Sequence, residues 1–206
     1  MATPGRMSAA VIRYTGLMGR WGPDARSRLE RAAMELYVER GFEQTTVAEI
    51  AERAGLTERT FFRHYTDKRE VLFRGAGFLQ DHILNAVLGA PATAAPLEAV
   101  VTGLQAAGEF FQGDPGRSRI RQAVIQTNAE LQARELSKMA ALASAISGAL
   151  HQRGVSDSAA GLTAEAGIVI FRIAFGRWIG GTGEETWASL IRAALDDLRA
   201  VMVAAP

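Results

Sequence analysis

From Asp24 to Val203 the apolar residues recur mostly three and four positions apart, the spacing that lines one face of an α-helix, and no convincing strand pattern appears. The first stripe, Leu29, Ala32, Ala33, Leu36 and Tyr37, opens just after Pro23 and closes at Gly41. It predicts a helix that begins at Asp24 or Ala25 and stops at that glycine. A second helix starts at Thr45 or Thr46, whose hydroxyl is placed to accept an orphan backbone N–H. Glu49, three residues after Thr46, completes a capping box, and Val47, Ile50, Ala51 and Ala54 supply the buried face. Gly55 ends this helix in the left-handed conformation that a sharp stop needs. Leu56 plugs the corner and Thr57 caps a third helix, on which Phe61 and Tyr65 point inward. Asp67 and Glu70 read as a capping box for a fourth helix, continuous through Val71, Leu72, Phe78, Leu79, Ile83 and Val87 to Pro91.

PATAAP, from Pro91 to Pro96, is a loop by composition, and Gly113 to Gly116 and Gly180 to Gly183 are further breaks. Between them the pattern predicts helices from Leu97 to Gln112, Arg117 to Gln126, Asn128 to Arg153, Ser156 or Ser158 to Ile179, and Glu184 to Val203. The fold class is therefore all-α, with about nine helices. The division we expect is a flexible N-terminal segment over 1–22, a compact helical unit over 23–73 built around two short helices and a glycine turn, and a longer helical unit over 74–206. Arg6, Arg13 and Arg20 in the leading segment make either an inert tail or an arm that follows a DNA backbone.

Charge changes this picture only through its placement. The net charge is +1, with thirteen basic and ten acidic residues up to position 78 and ten against twelve beyond it. Residues left outward on the third helix, Arg59, Thr60, Phe62, Arg63 and His64, combine cations, a hydroxyl, a ring and an imidazole. Such a face suits the major groove, where a helix reads base edges while cations and hydroxyls hold phosphates; the alternative is an ordinary solvated helical hairpin.

The run from Ala25 to Phe73 resembles the DNA-binding domain of TetR/AcrR-family transcriptional regulators. It shares the helix ending in Gly41-Phe42, the Thr-Thr start, Ile50-Ala51, Ala54-Gly55, Thr57, Thr60-Phe61, His64-Tyr65, and Lys68 before Leu72-Phe73. The resemblance implies that 23–73 is a helix-turn-helix DNA-binding domain with double-stranded operator DNA as a partner, and that 74–206 is a helical effector-binding and dimerisation domain. Thr46 would hold a phosphate, Thr57, Thr60, Phe62, Arg63 and His64 would lie along the groove, and Lys68 would reach a phosphate. Many relatives have tyrosine where this chain has Phe62, so that ring offers apolar contact only. Some place an arginine where Val47 stands, which leaves direct readout to Arg59 and Arg63. Each of the two either forks onto a guanine or holds a phosphate.

The last two long helices carry wide apolar stripes, Phe171 and Trp178 on one and Trp187, Leu190, Ile191, Leu195 and Leu198 on the other. A stripe broader than one neighbour covers is read either as packing on a second copy or as core packing within the chain, and the resemblance favours the first, implying a homodimer formed through these helices. The resemblance also implies a pocket for a small, partly apolar effector, with Phe78, Phe110, Phe111, Arg172 and Phe175 as candidate lining. No cysteine is present, which removes disulfides, thiolate catalysis and cysteine-based metal sites. His64, His82 and His151 stand far apart with no metal-ligand spacing, and GGTGEE around Gly181 follows a helix and lacks a phosphate-binding lysine. We expect no enzyme, no metal and no cofactor. The leading segment does not read as a secretory signal, and no uninterrupted apolar run nears the roughly eighteen residues of a membrane span, so a cytoplasmic address is the expectation.

Overall fold

A computed structural model describes residues 24–112 and 115–203. Among them are nine α-helices and no strand: α1 Ala25–Arg40, α2 Val47–Arg53, α3 Glu58–His64, α4 Ala76–Gly89, α5 Pro96–Ala106, α6 Gly116–Gln126, α7 Ala129–Gln152, α8 Asp157–Gly180 and α9 Trp187–Val203. Short 3-10 turns cover Glu70–Phe73 and Ala107–Phe111. The expectations for residues 1–22, including an arm of Arg6, Arg13 and Arg20, and for the break at Gly113 and Asp114 lie outside the described residues.

The predicted α1 stripe is buried throughout. Asp24 caps the helix by accepting the Ser27 N–H at 2.7 Å, and Gly41 at φ 86° ends it. One expected helix is interrupted. Where a continuous fourth helix was predicted from Asp67 to Pro91, a 3-10 turn ends at Phe73 and α4 starts only after Gly75, at φ 86°. Two cores explain the break. Val71, Leu72 and Phe73 fill the core of the N-terminal half, whereas Ile83 and Val87 fill that of the C-terminal half, so the chain must turn between them. Glu70 does not close a capping box either. Asp67 accepts the backbone N–H of Arg69 and Glu70, while the Glu70 carboxylate is drawn away to Arg134 and Lys138.

The larger core gathers residues of α4, α5, α7, α8 and α9. Helices approach closely at two glycines: a Cβ at Gly103 would stand 2.6 Å from Val87 Cγ2, and one at Gly167 would stand 2.6 Å from Val100 Cγ1. Arg153, just past α7, gathers the C-terminal carbonyls of α4, donating to Val87, Ala90 and Pro91 at 3.1, 2.7 and 2.7 Å. The smaller core joins α1, α2, α3 and the first 3-10 turn, but Val124, Ile125 and Leu131 from the α6–α7 corner complete it. α8 is long and apolar enough to cross a bilayer by length and composition, with a mean hydropathy of 1.5 over its best stretch. Here it is a core helix, packed among α5, α7 and α9 and carrying eight buried residues.

Candidate nucleic-acid interface

Two short helices and a tight turn carry the site. Thr46 accepts the Glu49 N–H at 3.2 Å, and Glu49 Oε2 accepts from the Thr46 backbone N–H at 2.8 Å, so the predicted capping box is present. Its hydroxyl also donates to Glu49 at 2.9 Å, which occupies the proton expected to meet a phosphate. Thr45 is fully buried and donates to the Gly41 carbonyl at 2.9 Å, tying α2 to the end of α1. At the turn, Gly55 adopts φ 64°, and Arg28 reaches across from α1 to the carbonyls of Ala54 and Gly55. This guanidinium closes the C-terminus of α2, where carbonyls otherwise lack partners.

Thr57 then caps α3, accepting the Thr60 N–H at 3.2 Å and lying 3.0 Å from the Thr60 hydroxyl. Phe61 is fully buried and Tyr65 nearly so, which seats one side of α3 on α1 and turns the other outward. On that outer side Phe62 is 55% exposed, and Arg59 and Arg63 are exposed one turn apart. Neither guanidinium has an ion pair or hydrogen-bond acceptor among the described residues. Their neighbours behave differently: Arg40 pairs with Glu49 at 2.7 Å, and Arg53 with Glu39 at 2.9 Å. The arrangement braces the frame with ion pairs and leaves these two cations without partners among the described residues on one face, where they can meet an anionic surface in register.

Two expected contacts differ. Lys68 donates to the carbonyls of Phe42, Glu43 and Thr45 at 2.8, 3.2 and 2.8 Å and sits 4.4 Å over the Phe42 ring. An ammonium has three hydrogens. All are taken, so here Lys68 braces the loop between α1 and α2 rather than reaching outward. His64 is half-buried, and its Nε2 is buried without a hydrogen-bond partner among the described residues, because the end of α3 rolls toward the core where Tyr65 is held. Sequence reasoning missed Arg28 and Glu30 altogether: their partners lie 26 to 87 residues away, and no local spacing reports them.

The candidate effector residues do not line one cavity. Phe78 is 68% exposed on α4, and Phe110 is 44% exposed with its edge on His82. Arg172 is also exposed. Phe111 and Phe175 belong instead to an aromatic cluster with Phe171, Trp178 and Trp187, in which Phe111 stacks on Trp187 at 4.0 Å. Trp187 donates its indole N–H to the Leu104 carbonyl at 2.7 Å. The dimerisation stripe is corrected for the same reason. Phe171, Trp178, Trp187, Leu190, Ile191 and Leu195 are buried within this chain and Leu198 is half-buried, since α5 and Phe111 cover the face that periodicity left unassigned. What α8 leaves exposed is another stripe, Leu162, Val169 and Ile173. A groove of about 620 Å³ opens on the surface between α1 and α6, beside Met34, Val38 and Ile120.

Comparison with known proteins agrees with this architecture. The profile of the tetR family of bacterial regulatory proteins matches residues 30–74, and that of the MftR C-terminal domain matches residues 94–203. Over 75 residues, 36% of this chain and 33% of the relative, the sequence is 40% identical to the HTH-type transcriptional regulator TcmR of Streptomyces glaucescens. The chain spans a third to about half the length of the curated relatives it matches. Two solved structures share the fold. SmeT in complex with triclosan, the repressor of a Stenotrophomonas maltophilia multidrug efflux pump, aligns with a TM-score of 0.56 at 19% identity, over 87% of this chain and 91% of that one. The fatty acid degradation regulator FadR from Bacillus halodurans aligns with a TM-score of 0.51 at 16% identity, over 87% and 96%.

Proposed function

Because the chain belongs to the TetR family of bacterial regulatory proteins, we propose that it is a sequence-specific DNA-binding transcriptional regulator, acting as a homodimeric repressor that a small effector releases from a palindromic operator. The observation that carries the reading is the pair of guanidiniums, Arg59 and Arg63, without partners among the described residues, on the solvent face of a short helix whose other face is locked by Phe61 and Tyr65. In this reading α3 enters the major groove, Thr57, Thr60 and Phe62 flank the two arginines, and the protein works in the cytoplasm with no catalytic role.

A second copy would pack on the α8 stripe of Leu162, Val169 and Ile173, where Gly161, Gly176 and Gly180 leave open space for close approach. Two-fold symmetry then sets two reading helices roughly 34 to 36 Å apart, one turn of DNA. A partly apolar effector entering the C-terminal half has to part the rings around Phe111, and differential affinity for the parted state is what would couple it to DNA.

The test is selection of bound fragments from the native genome, followed by Arg59→Ala and Arg63→Ala on the recovered site. Each substitution is expected to cost about 1 to 3 kcal/mol of binding. A base contact shows as relaxed preference at one position, and a phosphate contact as uniform weakening with a salt slope lower by about one. Wild-type affinity in both variants, with the fold intact, would refute the placement of α3.

A further inference from the structure

Glu30 lies on α1 inside the smaller core and is 5% exposed; with Thr45 it makes up the buried polar residues of the described chain. A carboxylate in such a place is tolerated only with partners. Its Oε1 accepts the Tyr65 hydroxyl at 2.5 Å, its Oε2 is paired with Arg74 Nη1, and Arg117 Nη2 stands 3.6 Å from the same oxygen. Burial, then the hydrogen bond to Glu30 and its charge, push the Tyr65 phenol well above its ordinary range, so the hydroxyl remains a donor.

The three donors come from three mechanically distinct places. Tyr65 is the residue that ends α3, Arg74 sits beside Gly75 at the joint between the first 3-10 turn and α4, and Arg117 lies in the first turn of α6. A single carboxylate thus ties the end of the reading helix to two of the places where the halves meet, the joint before α4 and the start of α6, while α7 makes its own contacts through Leu131 and the Arg134–Glu70 pair. Buried ion pairs of this kind add little net stability over apolar packing, and their best-attested use is to fix one arrangement among several. The Arg117 contact is the adjustable one, since its side chain is 70% exposed and the separation is 3.6 Å.

We propose that Glu30 is a positioning residue through which α6 sets the orientation of α3, by a route that runs across α1 and does not require motion along α4. This rests on α3 being the DNA-reading element, but the coupling itself is measurable without DNA. A displacement of α6 withdraws Arg117 from Glu30, the carboxylate shifts its balance toward Arg74, and the Tyr65 bond that anchors the C-terminal turn of α3 is strained or released.

The experiment is amide hydrogen exchange on the full chain for wild type, Arg117→Ala, Glu30→Gln and the double variant, with Tyr65→Phe as a fold-preserving companion. Arg117→Ala is expected to speed exchange at residues 61–65 by roughly fivefold or more, the lower edge of ordinary coupling energies. It should leave the α5 amides of residues 100–104 unchanged, and should have no further effect once Glu30 is Gln or Tyr65 is Phe. Equal acceleration in α3 and α5 would mean general destabilisation and would overturn the proposal. So would an Arg117→Ala effect within twofold of wild type, or one that persists undiminished in the Glu30→Gln background. If coupling is seen but no selected duplex is bound, the reading of α3 as a DNA element fails while this inference stands.

Discussion

Replacing Gly55 with alanine tests the turn that sets the direction of α3. At φ 64° an L-residue carries a left-handed penalty of about 1 to 2 kcal/mol. The new Cβ would also stand 2.7 Å from Arg28 Nη2, closer than such atoms approach, so the flexible end of this side chain has to shift. That shift loosens the bonds the guanidinium donates to the Ala54 and Gly55 carbonyls. Weakening two charge-assisted bonds at a partly exposed site adds up to about 1 kcal/mol, so the whole change should cost about 1 to 3 kcal/mol. The assay is urea unfolding followed by far-UV circular dichroism, run for Gly55→Ala, Arg28→Ala and the pair. With Arg28 already truncated, Gly55→Ala should retain only the backbone part, about 1 to 2 kcal/mol. An equal cost in both backgrounds would show that the collision with Arg28 is not the mechanism, and a loss below about 0.5 kcal/mol would refute the strained turn as well.

Two further outcomes follow from the same frame. Lys68→Met should lower stability by about 2 to 3 kcal/mol by leaving the Phe42, Glu43 and Thr45 carbonyls without their donor, while the salt slope of DNA binding stays as in wild type; a slope lower by about one would return Lys68 to a phosphate. For Asp67, burial pushes the carboxyl up, but hydrogen bonds from the Arg69 side chain and from the backbone of Glu70 and Arg69 outweigh it, leaving it below its ordinary 3.8. The folded carboxyl therefore releases its proton more readily than the unfolded one. Its stabilisation is complete above the unfolded value and is lost as pH falls through the folded one, so Asp67→Asn should flatten the acid limb of a stability-against-pH curve. An unchanged acid limb in that variant would remove Asp67 from the account.

Local signals were readable wherever cause and effect lie within one turn. The α1 stripe, the Thr46–Glu49 box, the stop at Gly55 and the Thr57 cap of α3, which accepts the Thr60 N–H at 3.2 Å, all depend on residues within a turn of one another. The sequence misled where a residue's partner comes from a distant segment. Val71 to Val87 share a helical period, yet the period does not say that Leu72 and Ile83 serve different cores, and only the turn at Gly75 reconciles them. Trp178 and Trp187 were legible as apolar but not as covered, since periodicity names a face and leaves its neighbour blank; Phe111 and α5 supplied the cover. Lys68 and Thr46 matched a family pattern in identity, while their hydrogen-bond partners could be found only once the chain was folded.

Val124, Ile125 and Leu131 seal the base of the smaller core although they belong to the α6–α7 corner. A head cut out at the joint after Phe73 would leave with an apolar socket open to water, prone to stick to whatever surface offers a plug. Chimeras that graft this head onto another regulator's body would inherit the same mismatch unless the corner travels with it. The unit that can be exchanged between regulators is therefore discontinuous in the chain, the head together with its stopper.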